Sequence, residues 1–132
     1  MACDQSGTTY PPINAWTKKD DTNWNFHPVG APVDANNFQL VRPSFELAQS
    51  SGLLTVRPAL RTSNDGTTWD TPVAIGGQSR NTNGITYGSA YTDMTATTDG
   101  KQLVQPGVEV KNTSGSALEM GLVTLKLDHR TV

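Results

Sequence analysis

Few residues of this 132-residue chain have the chemistry of a reaction centre, and their spacing keeps them apart. His27 and His129 lie near opposite ends, each expected to pack or meet solvent rather than act as a general base. Cys3, the one thiol, sits in a polar N-terminal stretch, so no intrachain disulfide or Cys-x-x-Cys site forms. Asp20 and Asp21 follow Lys18 and Lys19, while Glu46, Glu109 and Glu119 fall where strand alternation directs a side chain to solvent. No Gly-x-Ser-x-Gly elbow, phosphate loop, His-Glu-x-x-His pair or dinucleotide fingerprint occurs. These residues argue against an enzyme and call for no cofactor or metal. Ser63-Asn64-Asp65-Gly66 with Asp70 offers oxygen ligands around a glycine, but the further acids and bidentate Glu of an EF-hand are missing, so it reads as a turn.

The residues that remain suit contact. Aromatic rings stack on pyranose faces, and Tyr87 and Tyr91, in the Gly-rich stretch from residue 76 to 100, are the exposed candidates for binding a surface glycan. A carbohydrate-binding module is therefore one reading of the chain. Trp69 is expected as a core or cross-strand ring opposite Leu60. Tyr10, Trp16, Trp24 and Phe26 fall in residues 1–37, where prolines interrupt any helical or strand period. That span reads as an extended N-terminal arm, too aromatic for disorder, which either folds over its own sheet or binds a neighbouring subunit through those four rings.

These residues need a frame, and the rest of the chain reads as all-β. Its length is that of one domain, and it is rich in Gly, Pro, Thr, Asn and Ser and poor in helix-forming runs. A formal charge of -2 gives no broad attraction for nucleic acid, and no apolar stretch is long enough to span a membrane as a helix. Phe38–Leu47, Leu53–Thr62 and Trp69–Ile75 read as three strands of a meander; 102–112 and 117–129 read as a closing pair. Asn64-Asp65-Gly66 is a hairpin turn, and Thr97–Lys101 reads as another. Three segments echo one another: Val41-Arg42-Pro43, Val56-Arg57-Pro58 and Val104-Gln105-Pro106 each open an alternating run that ends at a Gly turn. Since Pro cannot donate to a ladder, each of these strands should lie at an edge, begin at its Pro, or bulge there. The expected fold is an antiparallel β-sandwich or jelly roll over residues 38–132. Its expected core is Phe38, Leu40, Phe45, Leu47, Leu54, Val56, Leu60, Trp69, Val73, Ile75, Leu103, Val108, Val110, Val123, Leu125 and Leu127.

Ser63-Asn64-Asp65-Gly66-Thr67-Thr68-Trp69 resembles the Ser-x-Asp-Gly-x-x-Trp hairpin of discoidin-like jelly rolls, a match of hairpin type. The whole chain, Thr/Asn/Gly-rich, with one cysteine and a Pro-broken aromatic arm, looks like the small structural proteins of tailed bacteriophages, such as capsid decoration (cement) proteins and head or tail accessory proteins. That resemblance implies a non-enzymatic virion component made in the host cytoplasm. It implies a homo-oligomer, trimer or dimer, bound to the major capsid protein or other virion subunits, with no nucleic acid or membrane partner.

Overall fold

In the computed structural model, residues 5–9, 16–18, 21–48, 54–76, 79, 84–86, 90–112, 118–120 and 122–130 are described. Twelve strands are assigned there: β1 (Gln5–Thr9), β2 (Trp16–Lys18), β3 (Asp21–Pro28), β4 (Val33–Asp34), β5 (Leu40–Ala48), β6 (Leu54–Ser63), β7 (Val73–Ala74), β8 (Gly84–Thr86), β9 (Thr92–Asp93), β10 (Leu103–Asn112), β11 (Leu118–Met120) and β12 (Leu122–Arg130). They form an antiparallel β-sandwich. One sheet runs β1-β12-β5-β8, with β9 also on β5; the other runs β3-β10-β6-β7, with β4 also on β10; β2 and β11 pair separately. The sandwich is that expected from alternation, but the pairing is not. β5 and β6 lie in different sheets, as do β10 and β12, so neither the meander nor the closing pair forms. Each of these strands has one apolar face, and crossing between sheets turns those faces onto a shared core.

Inward side chains alternate along the long strands: Val41, Pro43 and Phe45 on β5, Val56, Pro58 and Leu60 on β6, Val104, Pro106, Val108 and Val110 on β10, and Leu125 and Leu127 on β12 are all buried. Phe38 and Ile75, outside the strands, are buried as expected, and Val29, Ala35 and Met94 join them. Leu40, Trp69 and Leu103 are half-buried, while Val73 is 39% exposed because its strand is the rim of the sheet. The side chains of Leu47, Leu54 and Val123 lie outside the described residues.

The three prolines sit inside continuous strands, and the interruption falls on the neighbour. Pro43 faces the gap between β9, which pairs with Leu40 and Val41, and β8, which pairs with Phe45 to Leu47. Pro106 marks the place where β10 changes partner from β3 to β4; its carbonyl accepts from the Val29 amide at 2.9 Å. Pro58 stands just beyond the β7 pairing, its carbonyl accepting from Ile75 at 3.0 Å. A missing donor is harmless where the facing strand has already ended. The expected edge, start or bulge at each Pro is thus replaced by a seam.

Two further expectations change. Trp69–Ile75 keeps only Val73–Ala74 as strand, and Thr97–Lys101 is not a hairpin turn: Thr95–Thr98 makes one helical turn. Asp93 Oδ1 accepts from the Thr95 amide at 2.9 Å, the Thr98 hydroxyl bonds back to Met94, and Gly100 at φ 73° ends the turn. Within residues 1–37, β1 pairs with β12 and β3 and β4 pair with β10 of the same chain.

Candidate binding surfaces

Of the polar residues singled out for chemistry, Cys3, Asp20 and the side chains of Asp21 and Glu119 lie outside the described residues and Glu46 is exposed; His129 and the carboxylates of the β6 turn are used internally. His129 is buried, its ring stacked on Phe38 at 4.1 Å between centroids and 14° between planes. At the β6 turn, Asp65 Oδ1 accepts from the amides of Thr67 and Thr68, both at 2.8 Å, and the Ser63 hydroxyl accepts from Gly66 and donates to the Thr68 carbonyl at 2.6 Å. Those amide bonds hold the Asp65 carboxyl well below the usual carboxylate range. Asp70 is also lowered, by Lys101 at 2.8 Å and the Thr62 hydroxyl. The carboxylates therefore close the turn, Asp65 on backbone amides and Asp70 on Lys101 and Thr62. Among the described residues no group of three or more His, Cys, Asp or Glu is placed to hold a metal ion.

The outer face of the β3-β10-β6 sheet has a different character. On β3, alternation puts Trp24 and Phe26 on one side; on β6 it puts Arg57 and Arg61 there, and on β10 Gln105, Gly107, Glu109 and Lys111. Register places Glu109 between Arg57 and Phe26, and Gln105 beside Arg61. Arg57 lies over Trp24 at 4.0 Å and bonds Glu109 Oε1 at 3.0 Å. Arg61 lies 5.1 Å from the Phe26 ring centre and 4.5 Å from that of Trp69, and donates to Gln105 Oε1 at 2.9 and 2.6 Å. Lys111 approaches Trp24 at 5.6 Å. Rings and cations thus alternate across the face, each guanidinium fixed by a hydrogen bond. Phe26 reaches over Gly107, where a Cβ would stand 2.6 Å from Phe26 Cζ.

Alternation did place Glu109 outward, yet it is only 5% exposed. Arg57 and the Phe26 strand cover it, so the expected solvent position is corrected to a paired, covered one. Trp69 is likewise not a core or cross-strand ring: Leu60 pairs with Val73, and Trp69 stacks from the loop on Arg61.

On the outer face of the other sheet, Arg42 and Arg130 lie over the Tyr91 ring at 4.8 and 4.1 Å. Arg42 also binds Asp128 at 2.7 Å, a bond that raises the Arg42 pKa. A sugar stacking on Tyr91 would have to displace a guanidinium from any face so covered. Tyr10 and Tyr87 lie outside the described residues, and of Trp16 only the β2 backbone is described. Trp24 and Phe26 come together on one face; Tyr91 is on the opposite sheet. The arginines were the residues missed. Their signal was available in part, since Arg57 and Arg61 share strand parity, as do Trp24 and Phe26.

The arrangement defines a β-sandwich with ordered aromatic and guanidinium groups on both outer faces, a class suited to contact. No family model matches the sequence, and no curated protein matches it. Solved structures of infectious bursal disease virus share the fold. The Gx strain structure superposes at TM-score 0.59 with 10% identity, over 96% of this chain and 32% of that one. The crystal structure of the VP2 subviral particle superposes at 0.59 with 9% identity, over 97% and 32%. The likeness is one of fold, and this chain spans about a third of the length of those chains.

Proposed function

We propose that this protein is a non-enzymatic structural component of a virion, a capsid decoration protein that stabilises the shell by multivalent protein contacts. The observation that carries the reading is the fold shared over nearly the whole chain with viral chains, one of them VP2 from a subviral particle. The surfaces support it. Trp and Arg are the residues that most often dominate protein interfaces, and here they are already ordered on a sheet. Ordering before contact lowers the entropy lost on binding. A closed homo-oligomer, dimer or trimer, would multiply those contacts around a symmetry axis and bind the major shell protein repeatedly. Of the rings expected to meet a partner, Trp24 and Phe26 would do so from the outer face of the β3-β10-β6 sheet.

The test is to tag the chain, express it with the remaining genes of the genome that encodes it, and separate virions on a density gradient. Co-migration with intact shells, in a fixed ratio to the major shell protein, is expected. A chain found only in the soluble fraction would end the reading.

A further inference from the structure

We infer that the outer face of the β3-β10-β6 sheet is a self-association surface, and that its occupant is the acidic pole of a second copy of this chain. The inference rests on the reading of the protein as an assembling one, and names the partner.

Among the described residues, the end of the face away from Leu103 carries Arg57 and Lys111 against the carboxylate of Glu109, an excess of one positive charge in a chain whose formal charge is -2, and Arg61 adds a cation nearer Leu103. The compensating charge is gathered at one end of the sandwich. Asp34 pairs with Leu103 at the start of β10, Asn64 beside Asp65 accepts from Gln102, and Asp93 pairs with Leu40 at the start of β5. Asp70 reaches Lys101, and Asp99 lies in the turn before it. All five aspartates are exposed, and Lys101, bound to Asp70, is the one lysine or arginine in the loops that carry them. Hydrogen bonds hold Asp65 and Asp93 below the usual carboxylate range, so both stay charged. Asp93, Thr95, Ala96 and Asp99 line an open depression there.

Trp24, Arg57 and Lys111 sit at the far end of the same sheet. Lys111 lies eight strand steps along β10 from Leu103, about 27 Å at strand rise. The pole of one copy therefore meets the cationic end of the next, not its own. Two unlike patches make a heterologous contact, which closes into a ring or continues as an open array. Opposite charges steer the encounter, and the half-buried Trp24 supplies apolar area beside them.

Charge exchange tests this. The face variant Thr55→Glu/Lys111→Glu and the pole variant Ala96→Lys/Asp99→Lys alter side chains that make no side-chain hydrogen bond or ion pair described above, and thermal melting checks that each folds. By light scattering, wild type is expected above monomer mass, falling toward it as salt is raised. Each variant alone is expected to be monomeric, and an equimolar mixture to associate again above monomer mass, because the reversed face then meets the reversed pole. A monomeric wild type, or a mixture of folded variants that stays monomeric, overturns the contact. The two readings fail separately: a monomeric wild type that still enters virions removes only this contact. An oligomer obeying charge exchange but absent from virions supports the contact and removes only the virion role.

Discussion

Gly107 is the residue whose identity the outer face most depends on. It needs no unusual backbone angle; it needs the absence of a side chain, because a Cβ there would overlap the His27 carbonyl and stand 2.6 and 2.8 Å from Phe26 ring atoms. Gly107→Val should force β3 away from β10 and cost about 1–3 kcal/mol, read as a lower denaturation midpoint at unchanged slope. Phe26 over Gly107 was not visible in the sequence, since the two are 81 residues apart and only the β3–β10 register brings them together. Asp65, by contrast, was legible as a turn residue from its Asn-Asp-Gly setting. Its lowered pKa adds stability above the unfolded-chain value of about 3.9, and that stability is lost as pH falls through the folded value. Asp65→Ala is therefore expected to lower Tm fully at neutral pH. The gap to wild type should narrow progressively below about pH 4 in a melting series.

At the scale of elements, alternation identified most long strands because their inward positions are nearly all apolar. Partners stayed hidden for a physical reason: the apolar face of β10 satisfies β6 or β12 equally well by pattern, and only chain crossing decides between them. The prolines were read as ladder breaks, which is correct chemistry, but the break is in the short neighbouring strands. This yields a paired test. Pro106→Ala places a new amide where β10 changes partners and should shift stability little, whereas Val108→Pro deletes an amide within the β3 ladder and should cost about 3 kcal/mol or more. Equal effects in urea titration would show that the seam has no special tolerance.

For the whole molecule, residues 1–37 contribute β1, β3 and β4 together with buried Val29 and Ala35. Deleting them uncovers one flank of β10 and one of β12. Loss of cooperative unfolding is expected, measured by circular dichroism and calorimetry; a sharp melt in the truncated chain would mean that residues 38–132 fold alone. The candidate contact surfaces were less legible than the fold, because each draws on strands from distant parts of the sequence: Trp24 meets Arg57 and Lys111, and Tyr91 meets Arg42 and Arg130. The seam at Pro106 has one more consequence, for how such a chain can diversify. β3 ends at Pro28 and β4 begins at Val33, and between them Ala31 and Pro32 are exposed on an excursion that the two ladders already bracket. Added length there re-registers neither ladder, so a short peptide grafted between Ala31 and Pro32 should leave Tm unchanged and be displayed on the surface, accessible to an antibody against the graft. A lineage carrying this sandwich has, at that point, room to acquire a new loop without rebuilding its sheet.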